Sequence, residues 1–175
     1  MGSETQTKKM SASNNKSSFL WHLPKVELHA HLNGSIREST IIEFLKKHPK
    51  YAANDELLQK ALKFCRVDEH ETRTMEECFS LFNLIYELIT DYEHIRRITL
   101  EMIEDYVAEN CIHLEIRTTC KNFDSKKGVA EMDGFRKYVD TVLAAVEEYY
   151  KKTEGTKNKI SIGIILCVNR TSSQY

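Results

Sequence analysis

The sequence predicts an α/β fold with a parallel sheet, and three observations carry that expectation. Strand-length apolar segments alternate with helical periods in the order strand, helices, strand, helix, strand, which favours parallel strands joined by right-handed crossovers. The first two strands each present an ionisable face, whereas strands of an open doubly wound sheet are covered on both sides and read apolar throughout. Polar side chains directed inward near the strands' C-terminal ends suit a (β/α)₈ barrel. The chain has 175 residues and is 41% hydrophobic, enough for one core. A whole barrel takes about 250 residues. The expected architecture is therefore the N-terminal half of such a barrel, with about three parallel strands and their helices.

Residues 1–18 are polar and aperiodic and read as a disordered leader, leaving 19–175 as one partial barrel domain. In the first strand, Val26–Leu32, the apolar Val26, Leu28, Ala30 and Leu32 alternate with Glu27, His29 and His31. Asn33-Gly34 ends that strand, and Ser35 is placed to cap a helix over 36–48 that stops at His48-Pro49. A further helix is expected over 54–65. Thr74-Met-Glu-Glu77 has the spacing of a capping box. Met75, Cys78, Phe79, Phe82, Ile85, Tyr86 and Ile89 then keep to one helical stripe, mostly core, with only its first turns free to line a pocket.

Asp91 starts the next helix, which runs to about Glu109. Cys111–Thr118 alternates strictly, with His113, Glu115 and Arg117 on the polar face. A polar loop over 120–128 leads to a helix at 131–152 with the stripe Phe135, Val139, Val142, Leu143, Val146, Tyr149 and Tyr150. Ile160–Val168 is the last strand and is too apolar for an exposed edge.

The formal net charge of −1 gives no electrostatic reason to expect nucleic acid or an anionic membrane as partner. No apolar run approaches the roughly 18 residues that cross a bilayer, and the N-terminus has no apolar signal-peptide core. Cys65, Cys78, Cys111, Cys120 and Cys167 show no Cys-x-x-Cys spacing. An odd count favours free thiols in the reducing cytosol. No Gly-x-Gly-x-x-Gly or Walker motif supports a nucleotide-binding Rossmann or P-loop fold.

His29 and His31 are the most informative pair. Side chains at i and i+2 of a strand share a face about 6.6–6.8 Å apart along it. Imidazoles so placed can converge on one metal ion through bonds of about 2.0–2.1 Å, or can hydrogen-bond each other inside a barrel. A catalytic zinc takes three protein ligands and an open position, so the pair is at most part of such a site. The histidines at 22, 48, 70 and 94 lie beside helix ends and polar segments and read as structural. Glu27, His113, Glu115 and Arg117 read first as an ion-pair network in the barrel interior. Thr118-Thr119-Cys120-Lys121 follows the second strand where active-site loops collect. Its hydroxyls, amides and ammonium can hold a phosphate or serve ordinary turn chemistry.

Pro24-Lys-Val-Glu-Leu-His-Ala-His-Leu-Asn-Gly-Ser35 resembles the opening signature of the adenosine deaminase family, zinc hydrolases on a (β/α)₈ barrel. Asn33, where adenosine deaminases proper usually have Asp, is similar to the adenosine deaminase-like branch, the N6-methyl-AMP deaminases. Thr74-Met-Glu-Glu-Cys-Phe79 and Leu114-Glu-Ile-Arg-Thr-Thr119 also resemble motifs of that branch, and the likeness runs over about residues 20–170.

The resemblance implies zinc-dependent deamination of a 6-aminopurine nucleotide, N6-methyl-AMP giving IMP and methylamine. The alternatives are deamination of the free nucleoside adenosine, or a catalytically inactive truncated product. It also implies one Zn²⁺ with His29 and His31 as its first two ligands, His31 near substrate, and Asn33 facing the ribose. Thr118, Thr119, Cys120 and Lys121 would occupy the loop that meets the nucleotide. Three positions depart from the branch pattern: Tyr86 stands where a substrate-contacting His is common, Cys120-Lys121 replaces Pro-Arg, and Asn169 replaces Asp. The third zinc His and the His-x-x-Glu proton donor are expected beyond Tyr175, so the catalytic acid is expected outside this chain. The resemblance further implies a cytosolic, monomeric full-length enzyme, and the 175 residues alone are expected to be inactive and prone to associate.

Overall fold

The computed structural model describes residues 19–65, 74–156 and 159–168. The leader expected over 1–18, together with His70 and Asn169, lies outside the described residues. Three parallel strands, β1 (Lys25–His31), β2 (Cys111–Thr118) and β3 (Ser161–Leu166), form a sheet in the order β1-β2-β3. Neighbours in sequence are thus neighbours in space, as in the opening strands of a barrel. Seven helices are described: α1 (Phe19–His22), α2 (Glu38–Lys47), α3 (Pro49–Ala52), α4 (Asp55–Cys65), α5 (Met75–Leu88), α6 (Tyr92–Ala108) and α7 (Glu131–Lys152). The short α1 and α3 carry no periodicity that sequence reading could detect. Among the described residues no helix is long and apolar enough to cross a membrane.

Local signals fix most boundaries. The Thr74 hydroxyl accepts from the Glu77 amide at 3.3 Å while the Glu77 carboxylate accepts from the Thr74 amide at 2.8 Å, completing the capping box at the start of α5. Asp91 caps α6 by accepting from the His94 amide at 2.9 Å. At the end of α6, Asn110 takes a left-handed φ of +63°, a conformation Asn adopts more readily than most residues. Its carbonyl accepts from the Lys25 amide at 3.0 Å and its side chain donates to His22 O at 2.7 Å, which ties the entry of β2 to the start of β1.

Four expectations are corrected. Ser35 does not cap α2: a 3₁₀ turn over Leu32–Gly34 intervenes, Ser35 Oγ donates to His31 O at 3.0 Å, and Arg37 stands at the N-cap. The strict alternation of β1 is broken by register shifts: Val26 pairs with His113, Glu27 with Leu114, and Ala30 with Ile116. Paired residues of parallel strands share a face, so a bulge at Leu28–His29 places Glu27 on the helix-covered side with Leu114 and leaves Val26 beside His113. The buried stripe of α7 is Gly134, Tyr138, Val142, Ala145, Val146 and Tyr149, with Leu143 and Tyr150 exposed. The real stripe is rotated toward residues whose small or polar character hid them. β3 pairs with β2 alone among the described residues and leaves Leu166 52% exposed, so its apolar sequence does stand at an edge.

The core lies between β2 and the helices. Leu114, Ile116, Met102, Ile103 and Val142 are fully buried. In α5 the C-terminal half enters this core through Ile85 and Leu88, while Met75 and Phe79 in its first turns are 72% and 61% exposed.

Outside the core, α2 and α6 are joined by ion pairs. Arg37 forks onto Asp105 through Nε and Nη2 at 2.7–3.0 Å, and Arg97 bridges Glu43 at 2.7 Å and Glu101 at 2.9 Å. The Arg97 guanidinium, aided by Lys47, holds the Glu43 carboxyl at about 2, well below its ordinary 4.5. A lowered folded-state pKa contributes stability above the unfolded value that is lost as pH falls. The stability difference between the parent chain and Glu43→Gln is therefore expected to be full at neutral pH and to vanish as pH falls from about 4.5 to about 2. It should also shrink in high salt, because the pair is open to solvent. Urea titrations at stepped pH would check this; a difference that is independent of pH would contradict it.

Candidate metal and nucleotide site

His29 and His31 end β1 on its open side, and their Nε2 atoms lie 3.2 Å apart. The rings are tilted by 43° with centroids 5.2 Å apart. Two nitrogens bound to one tetrahedral zinc at about 2.0–2.1 Å lie roughly 3.3 Å from each other, so the pair has the spacing of ligands to a common ion. In this arrangement one ring donates to the other, and both remain exposed. The bulge that aims them is held by Glu27, whose carboxylate accepts from the His29 amide at 2.8 Å. No third ligand joins them: among the described residues no group of three or more His, Cys, Asp or Glu could hold a metal.

The ionisable groups of β2 lie beside this pair. Arg117 is in register with His31, and its buried Nε has no hydrogen-bond partner. His113 and Glu115 approach to 3.9 Å. The interior network expected from sequence is thus partial: Glu27 has left it for the helix-covered side, and Arg117 Nε is unpaired.

Beyond β1 the 3₁₀ turn presents Asn33. Its Oδ1 is buried without a partner and the residue lines a cavity of about 270 Å³. A buried acceptor left unpaired favours a ligand that brings a donor. Tyr86, Thr119, Cys120 and Lys121 line the same cavity, so five of the residues singled out in the sequence converge on one space. Phe123 and Tyr138 complete its aromatic wall. Neither was foreseen, since Phe123 lies in a loop read as polar and Tyr138 falls off the apolar stripe assigned to its helix.

Lys121 Nζ donates to Tyr86 O at 3.1 Å and Ile89 O at 3.3 Å, closing the C-terminal end of α5, and it lies 5.1 Å from the Phe123 ring centroid. Burial lowers the pKa of its ammonium from the ordinary 10.5. An ammonium has three donors, and the two carbonyls leave one for a ligand. Burial likewise pushes the Cys120 thiol up, which keeps it protonated and a poor nucleophile. Thr118 behaves differently from the expectation: it is buried, is absent from the cavity wall, and bonds the Tyr138 hydroxyl at 2.6 Å. Desolvation raises that phenol to about 12, so Tyr138 is a neutral wall of the cavity.

Residues 24–175 match the adenosine deaminase family model. The N6-mAMP deaminase of Arabidopsis thaliana is 35% identical over 165 residues, covering 85% of this chain and 44% of that protein. A solved Arabidopsis structure, ADAL complexed with GMP, is 34% identical with a TM-score of 0.69 and covers 86% of this chain and 42% of that one. The corresponding IMP complex is 33% identical, again with a TM-score of 0.69, over the same shares of the two chains. The chain thus spans less than half the length of the relatives it matches. A match over residues 24–175, with the three-stranded start of the same fold, makes this chain a member of the adenosine deaminase family.

Proposed function

We propose that this chain supplies the first two metal ligands and the nucleotide-contacting loop of a zinc-dependent hydrolase. The whole protein would convert N6-methyl-AMP and water to IMP and methylamine. The observation that carries this reading is that His29 and His31 are spaced as ligands of one ion and that Asn33, two residues on, lines a cavity with Thr119 and Lys121, although neither histidine lines it.

Each group has a role that follows from its surroundings. His29 and His31 would hold the ion, which when bound would supply Lewis-acid activation of the attacking water. Asn33 Oδ1 accepts a hydrogen bond from a ribose hydroxyl, satisfying an acceptor that is otherwise buried and unpaired. Thr119 and the free N–H of Lys121 meet the 5′-phosphate, while Tyr86 and Phe123 give the nucleotide an apolar wall. Lys121, at the position of a branch Arg, keeps a positive charge without a bidentate fork, so it binds phosphate as a point charge. The protonation of the departing amine falls to a residue outside this set.

A chimera tests the reading. Residues 24–175 would replace the matching segment of the Arabidopsis N6-mAMP deaminase, and methylamine release would be followed with zinc present. Turnover of N6-methyl-AMP is expected from the chimera and none from the 175-residue chain alone. A folded, zinc-loaded chimera that acts on adenosine in preference to the nucleotide would contradict the proposal.

A further inference from the structure

Thr118 and Tyr138 each carry a hydroxyl proton, and the 2.6 Å bond between their oxygens uses only one of the pair. Neither hydroxyl has a further partner among the described residues. Thr118 is 4% exposed and Tyr138 1%, so the second proton is shut in without an acceptor. A buried donor in that state costs free energy that an acceptor on a ligand would recover. We propose that Tyr138 donates this proton to a phosphate oxygen of a nucleotide in the adjoining cavity, with Thr118 as the positioning residue that holds the phenol in place. This inference rests on reading the cavity as a nucleotide site.

The direction of the bond follows from what each residue faces. Tyr138 lines the cavity of about 270 Å³ and Thr118 does not. When Thr118 donates to Tyr138, the remaining proton sits on the phenol and is available to the cavity. The reverse direction would strand it on Thr118, on the helix-covered face of β2 with Leu114 and Ile116. Burial pushes the phenol up to about 12, with the Cys120 thiol and the Tyr86 phenol adding to the effect. Both of those groups line the cavity, so the hydroxyl end of Tyr138 reaches it as well as the ring. At neutral pH the phenol keeps its proton and remains a donor.

The neighbours select the acceptor. Thr119 and Lys121 follow Thr118 along the chain and line the same cavity. Phe123 lies between the two groups: its ring centroid is 6.3 Å from that of Tyr138 and 5.1 Å from Lys121 Nζ. The Tyr138 and Thr119 hydroxyls and the free N–H of Lys121 are all donors, and a phosphate dianion, which only accepts, suits them together. Asn33 Oδ1, the unpaired acceptor of the same cavity, is left for a ribose hydroxyl. A hydrogen bond to an anionic oxygen is roughly twice as strong as one between neutral groups, so the phenol separates nucleotide from nucleoside.

Calorimetric titration of the full 175-residue chain with IMP and with inosine, the product of the proposed reaction and its nucleoside, tests this. Tyr138→Phe is expected to weaken IMP binding by about 10-fold or more, as for losing a hydrogen bond to a charged group, and to leave inosine within about 2-fold. Thr118→Val keeps the shape of the side chain and removes the hydroxyl that holds the phenol. It should weaken IMP by a smaller factor and again spare inosine. Should Tyr138→Phe fail to fold, Thr118→Val decides alone by the same contrast between the two ligands. Unchanged IMP affinity, or equal weakening of IMP and inosine, would overturn the phenol as a phosphate donor while leaving the nucleotide reading intact. Failure of the unaltered chain to bind IMP more tightly than inosine would overturn both.

Discussion

Leu114→Ala is expected to destabilise the chain by about 2–5 kcal/mol, the range for emptying a fully buried leucine site whose surroundings relax only in part. Leu114 is 0% exposed on the helix-covered face of β2, between its cross-strand neighbours Glu27 and Ile162. β2 is the only described strand paired on both sides, so a cavity there loosens both ladders at once. The exposed Ile112→Ala on the same strand serves as the comparison and should cost far less. Urea unfolding followed by far-UV circular dichroism at fixed protein concentration measures both. Equal losses at the two positions would mean that β2 is not the centre of the core.

Lys121→Met in the chimera should raise KM for N6-methyl-AMP by roughly 10- to 150-fold, the equivalent of about 1.5–3 kcal/mol for a hydrogen bond to a charged group. The methionine retains most of the stem that crosses the cavity wall and removes only the ammonium. KM for the free nucleoside N6-methyladenosine should change little, because it has no phosphate to lose. The same substitution removes the donor to Tyr86 O and Ile89 O, so some loss of thermal stability is expected as well. Comparing the two substrates separates these effects: a purely structural role for Lys121 would raise both KM values together.

The sequence made legible those features that depend on local chemistry. The limits of β2, the capping box at Thr74 and the start of α6 after Asp91 all follow from patterns within a few residues, and the structure has each of them. Asn33, Tyr86, Thr119, Cys120 and Lys121 were singled out one by one through the resemblance, and the structure places all five on one cavity. The bulge at Leu28–His29 was not legible, since alternation of residue types cannot report an inserted residue that changes which side is covered. Thr118 was misplaced although the alternation of β2 puts it on the covered face with Leu114 and Ile116. Its hydroxyl looks like a loop donor in sequence, but strand parity turns it inward, where only the Tyr138 phenol can satisfy it. Tyr138 and Phe123 became part of the site through tertiary packing of α7 against the loop after β2, which no local pattern encodes.

The central claim is that His29 and His31 are ligands to one metal ion. Titrating the metal-stripped chain with Co²⁺ and following its visible absorption tests this most directly, with His29→Ala and His31→Ala alongside. Weak, saturable visible bands of cobalt bound by two imidazoles and water are expected for the parent chain, reversed by adding zinc, and lost in each variant. Bands of the same intensity and affinity in the double variant His29→Ala, His31→Ala would contradict the claim.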